Sequence, residues 1–189
     1  MVFTVIDIET TGLSKHNNQI TEIAAVKVKN GEIVEQFQSL VNPQTDIPKF
    51  ITRLTGINNE MVKDSPTIKE ILPYFIQFLG NDVFVAHNAS FDFGFLEHNC
   101  QKHHNHCLEN KRLCTRKLAN RILPELPRKR LQDLCEYFDL TNQQAHRAMA
   151  DVEVTTQVFN NFLTHLEKEE GISNIEDLIK FEMSPRRRR

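Results

Sequence analysis

Val2-Phe3-Thr4-Val5-Ile6-Asp7-Ile8-Glu9-Thr10-Thr11-Gly12-Leu13 is an apolar run with two carboxylates set into it. Val2, Phe3, Val5, Ile6 and Ile8 read as a buried strand, where an acid has no packing role. Side chains alternate faces along a strand, so Asp7 and Glu9 point the same way while Ile6 and Ile8 point into the core. Such a pair repels itself and would partly protonate unless a cation is shared between its members. Hard oxygen ligands select Mg²⁺ or Mn²⁺ over zinc. The alternative, solvated acids on an exposed edge strand, conflicts with the apolar residues on either side.

Two further segments carry matching chemistry. Asp92 closes His87-Asn88-Ala89-Ser90-Phe91-Asp92, which follows a short apolar strand at 82–86. Ser90 reads as the N-cap of the next helix, which places Asp92 in its first turn. His146 and Asp151 bracket His146-Arg147-Ala148-Met149-Ala150-Asp151. On one continuous helix these two would diverge by about 140°, so they meet only if His146 lies in a loop, which Gln143-Gln144-Ala145 allows. Near helix N-termini the macrodipole keeps Asp92 and Asp151 ionised.

Four acids so placed suit two divalent ions about 3.5–4 Å apart clamping a phosphodiester, one activating water and the other stabilising the departing oxygen. Asp7 would be the shared ligand, with Glu9, Asp92 and Asp151 completing the two coordination shells. Imidazole binds magnesium poorly but titrates near physiological pH, so His146 fits a general base.

Outward from these segments, strands are expected at 2–8, 20–28 and 33–41, the last two joined by Lys29-Asn30-Gly31-Glu32, a strong hairpin signal. Ser65-Pro66 is expected to cap a helix with proline at its first position, and Pro73 to kink it. Helices follow at 112–122, 130–138 and 148–168. Strands first, with helices packing on them, argue for an α/β fold with a mixed β-sheet flanked by helices. Residues 1–168 form the expected catalytic domain, and 169–189 a short C-terminal helix at 175–181 and a disordered arginine-rich tail.

Composition narrows the setting. The net charge of −2 hides eight basic residues against one acid between Lys111 and Arg130, a stretch able to carry phosphate contacts. No apolar stretch reaches the roughly 20 residues of a membrane span, so a soluble, cytoplasmic protein without a membrane partner is expected. Cys100, Cys107, Cys114 and Cys135 lack zinc-knuckle or redox spacing, and the cluster from Cys100 through His103, His104 and His106 to Cys107 has no second ligand pair downstream.

Val5 to Leu13, His87 to Leu96 (HNASFDFGFL) and His146 to Asp151 (HRAMAD) together resemble the three motifs of the DnaQ-like proofreading exonucleases, in the branch whose third motif carries histidine. The resemblance spans residues 2–166 and includes all five motif residues, Asp7, Glu9, Asp92, His146 and Asp151. It implies a ribonuclease-H-like fold and release of mononucleotides from the 3′ end of DNA, in some members RNA, with two Mg²⁺ or Mn²⁺ ions. It further implies that Thr10, Thr11, Gly12 and Leu13 hold the terminal nucleotide and that Leu54, Thr55, Gly56 and Ile57 line its base. His87, Asn88 and Phe91 are carried over as substrate contacts, although Phe91 and Phe95 equally suit core. Many relatives have Asp-Thr where this chain has Cys114-Thr115, outside the metal site. A DNA polymerase subunit is a candidate partner, and the oligomeric state is left open. The alternatives are an RNA 3′-trimming exonuclease and an inactive polymerase-binding module; the latter predicts loss of an acid, and all four are present.

Overall fold

Strand β1 (Val2–Thr10) is the middle strand of a five-stranded sheet in a computed structural model that describes residues 2–142 and 144–185. Antiparallel β2 (Ile20–Lys29) and β3 (Glu32–Leu40) lie to one side of it, and helices α1 (Lys49–Thr55), α2 (Asn59–Val62) and α3 (Ile68–Leu79) follow. Parallel β4 (Val83–Ala86) lies on its other side, followed by α4 (Ala89–His104) and the parallel edge strand β5 (Arg112–Cys114). Helices α5 (Thr115–Ile122), α6 (Leu131–Tyr137), α7 (Ala148–Glu170) and α8 (Ile175–Met183) complete the chain, giving the order β3-β2-β1-β4-β5. This is a ribonuclease-H-like mixed sheet with helices on both faces.

The hairpin between β2 and β3 forms where Asn-Gly signals it. Lys29 pairs with Glu32, and Asn30 and Gly31 both take positive φ, 53° and 83°, as a two-residue turn matched to strand twist requires.

A middle strand is buried on both faces, so the core lies on both sides of β1 and not on the Ile6–Ile8 side alone. Ile6 and Ile8 join Leu72, Phe75 and Phe93 under α3 and α4. Phe3 and Val5 face α7, with the Phe3 ring edge-on to Phe159 at 5.0 Å. Asp7 and Glu9 continue that second face toward the start of α7. Helix α7 runs back along β1, because Ala148 bonds to Glu22, the cross-strand neighbour of Glu9, while Phe159 reaches Phe3.

Several local expectations change. Residues 112–114 are strand, because Arg112, Leu113 and Cys114 pair with Phe84, Val85 and Ala86, and three residues carry no readable periodicity. The residue preceding α4 is Asn88, in left-handed conformation (φ 78°), so Ser90 lies inside the helix and Asp92 still falls in the first turn. Helix α3 starts after Thr67, whose N–H and hydroxyl both bond to Glu70, so Pro66 stands outside it. The helix continues through Pro73, and the Lys69 carbonyl that Pro73 cannot serve accepts instead from His104 Nε2 at 2.8 Å.

Helix α8 packs Leu178 into the α7-side core, and its buried Glu182 accepts the Cys114 N–H at 2.7 Å, satisfying the open edge of β5. Gln143 and the tail at 186–189 lie outside the described residues. Among those described, no helix is long and apolar enough to cross a membrane.

Candidate active site

The acids gather at the C-terminal end of β1. Asp7 and Glu9 project from one face of the strand, and Asp92 reaches it from the first turn of α4, where its Oδ1 accepts the Ile8 N–H at 3.2 Å. Asp151 arrives from the first turn of α7. His146 precedes α7 with φ at 66°, and its N–H donates to Asp151 Oδ2 at 3.1 Å. The turn that joins the two is thereby closed by the acid itself. Asn142 Nδ2 donates to the other oxygen, Oδ1, at 2.6 Å, so both oxygens of Asp151 are oriented.

Glu9, His146 and Asp151 each present a ligand atom within 4.8 Å of the others. Asp7 lies within the fields of Asp92, Glu9 and Asp151. Burial, with those neighbouring charges, holds the Asp7 carboxyl well above the usual carboxylate range. Burial and then Asp151 push Glu9 up to about 8, and burial pushes Asp92 up to about 7. Asp151 is also raised by burial, against its bonds from Asn142 and His146. Among the described residues no hydrogen-bond donor meets the carboxylate of Asp7 or Glu9. Carboxylates crowded together without donors fit hard divalent cations.

The cysteine–histidine segment gathers no comparable set. Cys100 is buried, its thiol pushed up to about 12, His104 is bonded to Lys69, and Cys107 accepts from Gln101 Nε2.

Around the acids, the loop after Glu9 is drawn tight. Thr11 N–H donates to the Gln19 carbonyl, Thr10 Oγ1 to the Gly12 carbonyl, and a Cβ on Gly12 would stand 2.7 Å from the Asn18 side chain. That loop leaves Leu13 87% exposed. On α1, Leu54 is half exposed, whereas Thr55 and Ile57 are buried about the left-handed Gly56, with Thr55 Oγ1 bonded to the Ile51 carbonyl and the Ile57 N–H. His87 Nδ1 pairs with Thr115 Oγ1 at 2.9 Å, and burial brings the His87 imidazole down to about 4. Asn88 is exposed, and half-buried Phe91 rests on buried Phe95.

A cleft of about 530 Å³ opens beside the first turn of α4, lined by Asn88 and Ser90 and by Arg116, Lys117, Arg128, Lys129 and Arg130. Part of the basic stretch of the sequence therefore faces a cleft at the start of α4, the helix that carries Asp92 in its first turn.

Sequence reasoning missed Glu22, Asn142 and Arg147. Glu22 had a legible signal, a carboxylate between Ile20 and Ile23 in an apolar strand, the same anomaly that marked Asp7. Asn142 and Arg147 had none, because their roles depend on distant partners.

The exonuclease family model matches residues 4–159, and the chain belongs to that family. That family is one of exonucleases that depend on divalent metal. DNA polymerase III subunit epsilon of Aquifex aeolicus is 36% identical over 180 residues, which cover 95% of this chain and 89% of that protein. The PolC-type DNA polymerase III of Caldanaerobacter subterraneus subsp. tengcongensis is 43% identical over 176 residues, 93% of this chain but only 12% of that protein. The chain thus spans about an eighth of the PolC-type relatives it matches. Among solved structures, exonuclease X in complex with 5′ overhanging duplex DNA superposes with a TM-score of 0.74 at 28% identity, covering 95% of this chain and 99% of that one. E. coli exonuclease I with a dT13 oligonucleotide, at 17% identity and a TM-score of 0.78 over 90% of this chain and 42% of that one, shares the fold.

Proposed function

We propose that this chain removes nucleoside monophosphates from the 3′ end of DNA, in replication proofreading or repair, alone or in company with a DNA polymerase. The observation that carries the reading is the convergence of Asp7, Glu9, Asp92 and Asp151 on one end of β1, with carboxyl groups held above their usual range. Two Mg²⁺ or Mn²⁺ ions bound there would supply an activated water and positive charge at the departing oxygen. Asp7, whose carboxylate feels all three other acids, would hold the ions together with Glu9, Asp92 and Asp151. A ring nitrogen of His146 takes the proton of the attacking water.

Thr10, Thr11, Gly12 and the exposed Leu13 hold the terminal nucleotide, while Leu54 and Gly56 line its base. Thr55 and Ile57 act from beneath by fixing the Gly56 turn. Asn88 stands at the mouth of the basic cleft, which carries backbone phosphates; Phe91 supports it, and His87 braces the end of β4 through Thr115. The relatives named DNA polymerase III and the neighbours solved with DNA support a DNA substrate and a polymerase setting.

The test is product release from 3′-labelled single-stranded DNA and matched RNA with Mg²⁺, Mn²⁺ or EDTA, comparing the native chain with Asp7→Ala. Metal-dependent release of mononucleotides from DNA, absent in the variant, is expected. Faster release from RNA would move the substrate to RNA trimming, and release by Asp7→Ala would exclude the two-metal site.

A further inference from the structure

Glu22 is a fifth carboxylate on the acidic face, and protein donors fill it. It stands opposite Glu9 in the β1–β2 ladder with a side chain that has no solvent exposure. Oε1 accepts from Gln38 Nε2 at 3.0 Å and from an Arg147 terminal nitrogen at 3.0 Å. Oε2 accepts from Arg147 Nε at 3.2 Å and from the Ala148 N–H at 3.1 Å. With four donors on two oxygens, Glu22 is committed to the protein, whereas Asp7 and Glu9 on the same face have no donors among the described residues.

We infer that Glu22 and Arg147 are a positioning pair that seats the His146 turn and the first turn of α7 against β1, and so sets where His146 and Asp151 stand relative to Asp7 and Glu9. The inference rests on the proposed function for the roles of those four residues. Its physical basis is a closed set of bonds. The Arg147 guanidinium and the Ala148 N–H are both anchored on Glu22, the Asp151 N–H donates to the Arg147 carbonyl, and the His146 N–H donates to Asp151 Oδ2. A guanidinium engaged through two nitrogens fixes orientation as well as distance, which a point charge cannot do. Orientation matters here because His146 adopts a left-handed backbone that a side-chain-bearing residue rarely takes and that needs support on both sides. Arg147 follows His146 directly and supplies that support from the sheet, across 125 residues of chain.

Two shape-preserving variants test the pair: Glu22→Gln, which keeps acceptor capacity without charge, and Arg147→Lys, which keeps charge without the two-nitrogen geometry. Four quantities are measured: kcat and KM on single-stranded DNA, Mn²⁺ affinity by calorimetry, amide exchange across 144–151 in EDTA, and melting temperature. Each variant is expected to lower kcat by about 10- to 100-fold, the usual effect of removing an outer partner of a metal site, with KM unchanged. Mn²⁺ binding weakens and exchange quickens at 144–151 while the remaining core stays protected. The double variant is no worse than the worse single, because the two act as a unit.

A lower melting temperature with kcat, Mn²⁺ affinity and local exchange all unchanged would overturn the inference and leave a merely structural ion pair. Loss of Mn²⁺ binding in Glu22→Gln alone, with Arg147→Lys like the native chain, would also overturn it by making Glu22 a ligand. If the native chain turns over no DNA, the proposed function fails by itself. The expected shifts in Mn²⁺ affinity and exchange would then still support the pair.

Discussion

The backbone N–H of Ile8 donates to Oδ1 of Asp92 at 3.2 Å, so the first turn of α4 is tied to the β1 peptide between Asp7 and Glu9. The bond from Ile8 needs only an acceptor at Asp92, whereas the metal-ligand role proposed for it needs a charge. Asp92→Asn separates them. An amide oxygen can still accept from Ile8, while one of the neighbouring charges that add to burial in raising Asp7 is gone. The variant should melt no lower than the native chain in EDTA and should lose metal-dependent hydrolysis. A large drop in melting temperature would show the carboxylate itself to be structural.

The pH dependence of stability follows from the same crowding. Burial pushes Glu9 up to about 8 and Asp92 to about 7, with Asp7 and Asp151 raised as well. A carboxyl group raised by folding keeps a proton that the unfolded chain releases. The stability it contributes is fully present below the unfolded value and is lost as pH rises through the folded one. In EDTA the melting temperature should therefore fall from about pH 4 to about pH 8, and millimolar Mg²⁺ or Mn²⁺ should restore it at the upper end. A flat profile in EDTA would contradict the raised carboxyl groups.

His146→Ala should lower kcat by about 10² to 10⁴, the usual contribution of a general base, while Mn²⁺ affinity holds. Because His146 offers a ligand atom within 4.8 Å of those of Glu9 and Asp151, calorimetry decides its role. An equal loss of Mn²⁺ binding would make it a ligand.

Alanine at Arg128, Lys129 and Arg130 removes three of the cationic side chains that line the cleft beside α4. The slope of log affinity against log salt for single-stranded DNA should flatten by about 0.7 for each phosphate that is no longer neutralised. An unchanged slope would place the backbone elsewhere.

Phe159→Ala should cost about 3–5 kcal/mol in denaturant unfolding, because the fully buried ring stands edge-on to Phe3 between α7 and β1. A cost below about 1 kcal/mol would mean that the site collapses around the gap.

Elements with a long or strongly punctuated local signal were legible in the sequence. The Asn30–Gly31 turn was readable because only a few residue types tolerate positive φ at both positions. Helix α7 was readable from its apolar stripe, and helix geometry put His146 outside it on the premise that His146 and Asp151 share one site. Strand β5 was not, since its three residues are strand only because β4 lies beside them. The start of α4 was misplaced because Ser90 has the residue type of a cap, while Asn88 holds the backbone conformation at that boundary.

By itself the sequence singled out Asp7, Glu9, Asp92, His146 and Asp151 as the candidate residues and fixed which way each points along its own element, because strand alternation and helix pitch are properties of the local backbone. Asp7 and Glu9 share a face of β1 for that reason alone. Tertiary structure decided that Asp92, 84 residues from its hydrogen-bond partner on β1, and Asp151 would come to that face. It also decided that Glu22 would be taken up by Arg147 while Asp7 and Glu9 met no donor among the described residues. Desolvation and donor supply belong to the assembled neighbourhood of a carboxylate, and no local pattern encodes that neighbourhood.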